Sequence, residues 1–242
     1  MDRFFADKIQ GDLAFIDSEE EIKHISRTLR MQEGDVVEIF DGKGKEYIAR
    51  LDQIDKKSIQ LKVMEEVKIN RELNTFITVY QGIPKAQKME LIVQKLTEIG
   101  VSRMVPVKFE RCIRLIDEKE VKQIQRWQKI ALEACKQSKR TLVPLIEKSM
   151  DIKTLAQDIK NNDLSLLFYE NEEALNVKEL LKALDKKQTK VGIIIGPEGG
   201  ITEPERELLI FAGAKSVLLG NRILRTETAA IYGASIISYE LE

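Results

Sequence analysis

Val191-Gly192-Ile193-Ile194-Ile195-Gly196-Pro197-Glu198-Gly199-Gly200-Ile201-Thr202 and, further on, Leu219-Gly220-Asn221-Arg222-Ile223-Leu224-Arg225-Thr226-Glu227-Thr228-Ala229 share one pattern. In each, an apolar run breaks into a glycine-rich or polar loop where a helix should begin. Buried strands of an α/β protein present ligands at their carboxyl ends, beside the N-termini of the helices that follow. Two such loops one βα unit apart can form the two walls of one pocket. Gly196, Gly199 and Gly200 permit positive φ and close approach to the backbone, while Pro197 fixes one φ and removes a donor. Thr202 followed by Glu205 has capping-box spacing, which starts the next helix at Thr202 or Glu203. Thr226 or Thr228 can cap a last helix through Ala229, Ala230 and Ile231. Ordinary αβ turns share some of this pattern; Arg225, Thr226 and Glu227 crowded beside the second turn favour a pocket.

Working outward, residues 74–242 alternate strands with helices. Strands are expected at Phe76–Gln81, Met104–Val107, Val143–Ile146, Leu164–Tyr169, Val191–Ile195 and Ser216–Leu219. Helices are expected near Gln87–Ile99, Glu118–Ser138, Ile152–Lys160, Val177–Leu184 and Glu203–Phe211, and from about Thr228. Such alternation implies a parallel sheet covered on both faces, the α/β class. Residues 1–70 differ. Val36–Phe40, Glu46–Leu51 and Ser58–Val63 alternate between Asp41-Gly42-Lys43-Gly44 and Asp55-Lys56-Lys57 turns, which reads as a small β-barrel. The polar stretch Glu66–Asn74 is the expected linker.

With 242 residues, 43% of them hydrophobic, the chain can build one large or two modest cores. Its apolar runs are too short to span a bilayer, and Met1-Asp2-Arg3-Phe4-Phe5 does not start a secretory signal. Cys112 and Cys135 lack CxxC spacing and a histidine neighbour, so neither a metal site nor a disulfide is expected, and a reducing cytoplasm is the simplest setting. Neither G-x-G-x-x-G nor G-x-x-x-x-G-K-[ST] occurs, which removes the usual dinucleotide and nucleotide-triphosphate readings. Net charge is −1, but residues 73–150 carry 15 Lys and Arg against 8 Asp and Glu. That segregated positive charge is what phosphate binding uses, or else a solvated helix face.

The loops Gly196-Pro197-Glu198-Gly199-Gly200 and Leu219 to Ala229 resemble the cofactor-binding loops of SPOUT-class RNA methyltransferases, specifically the RsmE family. Lys95-Leu96-Thr97-Glu98-Ile99-Gly100-Val101, Glu133 to Arg140, and His24, Leu29-Arg30 and Phe40-Asp41-Gly42 resemble further blocks of that family in its order. The resemblance spans nearly the whole chain. It implies an amino-terminal PUA-like β-barrel over residues 1–70 that binds RNA. Residues 74–242 would then be a Rossmann-like SPOUT catalytic domain whose last strands and loops form a trefoil knot. It also implies a homodimer, S-adenosylmethionine as cofactor, no metal, and methylation of N-3 of a uridine in small-subunit ribosomal RNA, free or in an assembly intermediate.

By that resemblance the cofactor would be enclosed by Leu167 and Tyr169 at one strand end, by Gly196, Pro197, Glu198, Gly199 and Gly200, and by Leu219, Gly220, Ile223, Leu224, Arg225, Thr226, Thr228 and Ala229. Leu167 and Tyr169 also fit a plain core. The N-3 proton must leave before that nitrogen is nucleophilic. Arg225 could stabilise the growing negative charge, with Glu227 or Glu198 taking the proton or orienting the arginine; equally, Glu227 caps the final helix and Glu198 pairs with an arginine. His24, with Arg27 and Arg30, is an RNA contact or a surface histidine. Arg111, Arg114, Lys136, Gln137 and Arg140 are candidates for phosphate, the last three matching a family block that could also hold the partner subunit. A noncatalytic RNA-binding or ribosome-assembly protein, or a methyltransferase acting on a ribose 2′-hydroxyl, are the alternatives. Binding of S-adenosylmethionine separates the first of these from an enzyme.

Overall fold

Alternation in residues 1–70 becomes a six-stranded sheet in the computed structural model, which describes residues 1–85, 88–112, 120–170, 176–183 and 189–241. Its strands are β1 (Arg3–Phe5), β2 (Lys8–Gln10), β3 (Leu13–Ile16), β4 (Val36–Phe40), β5 (Glu46–Ile54) and β6 (Ile59–Glu66). They pair in the order β1-β4-β5-β6-β3-β2, antiparallel except for β1 on β4. The pairing leaves β1 and β2 as two ends, so the hydrogen bonds do not close a ring. Inward residues such as Ile16, Val37, Ile39, Leu51, Ile59 and Leu61 fill its core, as a period of two requires. Helix α1 (Glu19–Lys23) begins at Ser18, whose side chain accepts the Glu21 N–H, and carries Glu19, Glu20 and Glu21 in its first turn, where the helix dipole favours them. It runs on into a π-helical turn, His24–Thr28.

By its contacts the chain divides into Met1–Glu72 with Cys135–Val143, and Leu73–Ala134 with Pro144–Glu242. In the first unit Arg140 is 4% exposed. Its guanidinium lies 2.9 and 2.8 Å from one oxygen of Glu72, whose other oxygen accepts the N–H groups of Thr141 and Leu142 at 2.7 and 3.0 Å. Arg3 pairs with Glu46 and donates to the Arg140 carbonyl. These partners leave no buried charge of the group uncompensated, as burial requires.

The second unit is built on a parallel sheet. Its strands are β7 (Phe76–Gly82), β8 (Arg103–Lys108), β9 (Leu145–Ile146), β10 (Met150–Asp151), β11 (Leu164–Phe168), β12 (Lys190–Ile195) and β13 (Lys215–Val217). The order is β10-β8-β7-β12-β11-β13, with β9 also on β8. β7, β11 and β12 read as near-continuous apolar runs because both faces are covered. Helix α2 (Lys88–Ile99) turns Met89, Ile92, Val93 and Leu96 inward at helical spacing and packs against the last helix, α7 (Thr226–Leu241). Between them in sequence come α3 (Glu120–Ser138), α4 (Ile152–Asp158), α5 (Val177–Ala183) and α6 (Glu203–Phe211). The pairings Gln81 with Ile195 and Phe168 with Ile195 and Val217 align the carboxyl ends of β7, β12, β11 and β13. β8 continues from β7 to one side and β11 from β12 to the other, so the strand order reverses there, which is where open α/β sheets bind ligands.

Candidate functional site

The first loop leaves β12 at Gly196. Gly200 takes a φ of 76°, a conformation a side chain strains, and its N–H closes a turn onto the Pro197 carbonyl at 2.9 Å. Of the three glycines that permit a positive φ, Gly200 alone adopts it. Glu205 caps α6 as its spacing predicts, accepting the Thr202 N–H and hydroxyl at 3.0 and 2.9 Å. Its second oxygen accepts the Glu110 N–H at 2.7 Å and so ties the end of β8 to the same loop. Gly82 supplies the close approach: a Cβ there would stand 2.4 Å from the Pro197 nitrogen.

The second loop is fastened to the first through Thr226. Its hydroxyl donates to the Gly196 carbonyl at 2.7 Å and accepts from Gln81 Nε2 at 2.9 Å. Thr226 is therefore a strut between loops rather than the helix cap expected of it, and α7 starts there rather than near Thr228. Gln81 is fully buried and also donates to the Gly82 carbonyl at 2.8 Å.

Lys88 joins the same loops from outside. Its ammonium is 3.1 Å from Glu198 and 3.0 Å from Glu227, the latter an ion pair without hydrogen-bond alignment. The ion pairs with Glu227 and Glu198 raise the lysine's pKa and keep it charged. Partial burial of Glu198 opposes its ionisation, but the Lys85 N–H, its own N–H and Lys88 outweigh this and hold its carboxyl below the usual range. Burial raises the Cys112 thiol's pKa, so the nearest cysteine supplies no thiolate.

Between the loops lies an open cavity of about 680 Å³, within the range of small-molecule sites. Its apolar wall comes from Phe168, Ile195, Ile201, Leu218, Leu219 and Leu224, its polar edge from Glu170, Glu198, Asn221, Arg222, Arg225 and Thr226. Arg222 and Arg225 are exposed and their side chains have no partner among the described residues. Tyr169, Gly196, Pro197, Glu198, Gly200, Leu219, Gly220, Ile223, Leu224, Arg225, Thr226 and Ala229 all line the cavity.

Four expected residues do not. Leu167 is fully buried in the core with Tyr80, Val105 and Ile194, because alternation along β11 turns it to the face covered by α4 and α6. Gly199 faces outward, its missing Cβ against Arg111 rather than the cavity. Thr228 is exposed on α7, and Glu227 is turned to Lys88. Gln81, Gly82, Lys88 and the lining residues Phe168, Glu170, Ile195, Ile201 and Leu218 were not foreseen. A glutamine closing the apolar run Phe76-Ile77-Thr78-Val79-Tyr80 was the one signal that could have singled out Gln81.

Of the expected RNA contacts, His24, Arg27 and Arg30 are exposed on and after the π-helical turn, and Gln137 is exposed near the end of α3. Arg111 is exposed and donates to the Gly199 carbonyl at 3.2 Å. Arg114 lies outside the described residues. Arg140 is not a free phosphate ligand: it is buried and committed to Glu72, since a buried guanidinium needs a carboxylate. Lys136 is paired with Glu21, its side chain 14% exposed, which likewise removes it from the surface charge.

No group of His, Cys, Asp and Glu among the described residues could hold a metal ion, and none of their helices is long and apolar enough to cross a membrane. A profile for an RNA methyltransferase domain matches residues 71–238, and one for an RNA methyltransferase PUA domain matches residues 16–64. Ribosomal RNA small subunit methyltransferase E of Bacillus subtilis strain 168 is 35% identical over 251 residues, covering 100% of this chain and 98% of that protein. The protein of that name from Aquifex aeolicus is 32% identical, covering 97% of each. The crystal structure of ribosomal RNA small subunit methyltransferase E from Neisseria gonorrhoeae bound to S-adenosyl methionine is similar with a TM-score of 0.86 at 30% identity, covering 99% of this chain and 97% of that one.

Proposed function

Because the chain belongs to the ribosomal RNA small subunit methyltransferase E family, we propose that it transfers a methyl group from S-adenosylmethionine to N-3 of a uridine in small-subunit ribosomal RNA. The observation that carries this reading is the cavity at the strand-order reversal, walled by the two loops and edged by unpartnered Arg222 and Arg225. The residues present fit the cofactor: an apolar wall for its adenosine, main-chain groups of Gly196 to Gly200 and Leu218 to Leu224 for its polar atoms, and room for its bulk. When bound, S-adenosylmethionine supplies a methyl group already activated by its sulfonium, so alignment matters more than a metal.

Arg225 is the catalytic residue of this reading. Its guanidinium, unspent on any carboxylate, stabilises negative charge on the uracil oxygens as the N-3 proton leaves, and its effect grows toward the transition state. Glu198 and Glu227 lie nearby but are committed to Lys88, and a carboxylate held below its usual range is a weak base. Glu198, which lines the cavity, is still a stronger base than water, and it accepts the proton and passes it to solvent at the open mouth. His24, Arg27 and Arg30 on residues 1–70, and Arg111 and Gln137, contact RNA. The family further suggests a closed PUA-like barrel, a trefoil knot in residues 74–242, a homodimer and a cytoplasmic setting. The test is transfer of labelled methyl from S-adenosylmethionine to small-subunit RNA from a strain lacking the enzyme. Incorporation that disappears with Arg225→Ala supports the reading, and a purified, folded protein that transfers no label refutes it.

A further inference from the structure

Two loops can wall a cavity only if something sets the distance between them. Thr226 does this on the buried side; on the solvent side the ammonium of Lys88 touches both. We infer that Lys88 is a positioning residue for the transfer site, holding Glu198 of the first loop and Glu227 of α7 at a fixed separation. The inference rests on the proposed function for what the site does, but not for the geometry.

Three features make the position suitable. Lys88 is the first residue of α2, whose next residues Met89, Ile92 and Val93 are buried, so its backbone is anchored. Glu198 is itself fixed, because its carboxylate also accepts the Lys85 N–H at 3.0 and 3.3 Å. Glu227 follows Thr226 directly, so its placement governs Arg225 and Thr226 at the cavity edge. Both carboxylates stand about 3 Å from one nitrogen and therefore within about 6 Å of each other, a separation at which like charges repel. Beside this pair stand the Lys85 N–H, which Glu198 accepts, and the Cys112 thiol, kept neutral by burial. Glu90, on α2 as well, is occupied by Arg126.

Removal of the ammonium has a signature that ordinary loosening lacks. Without it the two carboxylates push the loops apart when both are ionised, and the repulsion disappears when one takes a proton. Lys88→Met should therefore weaken S-adenosylmethionine binding about tenfold at pH 8, one unit of coupling being a factor of ten, and only about fivefold at pH 5.5, where a carboxyl raised by that unit is about half protonated. Wild type should be nearly flat over the same range. Lys88→Arg should stay close to wild type, and Lys88→Met/Glu227→Gln should lose the pH dependence because one charge of the pair is gone.

The experiment is calorimetric titration of the four proteins with S-adenosylmethionine at both pH values, beside their melting temperatures without cofactor. The melting temperature of Lys88→Met should fall further below wild type at pH 8 than at pH 5.5, with the double variant again independent of pH. Equal losses at both pH values, or none, would overturn the inference in either readout. If wild type fails to bind the cofactor, the functional proposal falls, and the melting data alone decide the role of Lys88.

Discussion

Thr226→Val is the sharpest probe of how the cavity is held. Valine keeps the shape and removes the hydroxyl that donates to the Gly196 carbonyl and accepts from Gln81. Gln81 Nε2 retains the Gly82 carbonyl, so the amide is not stranded, but the Gly196 carbonyl loses this donor where the loop turns. Two hydrogen bonds at about 0.5–1.5 kcal/mol each give a loss of about 2 kcal/mol. In a chain of this size that lowers the melting temperature by about 4–8 °C. Urea unfolding should show a lower midpoint with an unchanged slope, the mark of lost stability without a changed unfolded state. Cofactor affinity should fall too, since Gly196 lines the cavity. Thr226→Ser keeps the hydroxyl and sacrifices one methyl, about 0.8 kcal/mol. A Thr226→Val protein within about 0.5 kcal/mol of wild type, or a serine variant equally damaged, would refute the strut; half a kilocalorie is the low end of one such bond.

Glu72→Gln should cost about 3 kcal/mol at pH 7 by leaving Arg140 without its carboxylate. Burial opposes ionisation of Glu72, but Arg140 and the Leu142 and Thr141 N–H groups outweigh it, placing its folded pKa below the ordinary 4.5. Its contribution is therefore complete above pH 4.5 and lost as pH falls through the folded value, so unfolding midpoints of variant and wild type should converge in acid. Gly82→Ala should destabilise by about 1–3 kcal/mol and impair cofactor binding, because its Cβ meets the Pro197 nitrogen at 2.4 Å. Gly199→Ala should leave cofactor affinity nearer wild type, since its Cβ meets Arg111 outside the cavity; calorimetry compares the two. Arg225→Ala should lower single-turnover transfer far more than RNA affinity, and a proportionate loss of both would make Arg225 a binding residue.

Much of this was written in local sequence. The runs at Phe76 and Val191 and the helical spacing of Met89, Ile92, Val93 and Leu96 announce a covered parallel sheet, and Thr202 with Glu205 announces the start of α6. The two cavity loops were legible because glycine and proline constrain the backbone whatever lies around them. What was not legible depends on partners distant in sequence. β1, β2 and β3 are three or four residues long, too short for a period of two to register. The burial of Arg140 follows from Glu72, 68 residues away, which a count of basic residues cannot anticipate. Leu167 and Phe168 are both apolar, and only the strand's orientation puts the second on the cavity. Lys88 has no local mark at all: its role arises because α2 begins beside two loops more than a hundred residues downstream.

The atom that receives the methyl group is tested most directly by one measurement. Small-subunit RNA from a strain lacking the enzyme is incubated with the purified protein and S-adenosylmethionine, digested to nucleosides and analysed by mass spectrometry. The expected product is 3-methyluridine, formed at one position and absent without the protein. A ribose-methylated nucleoside, or RNA bound but unmodified, would contradict it.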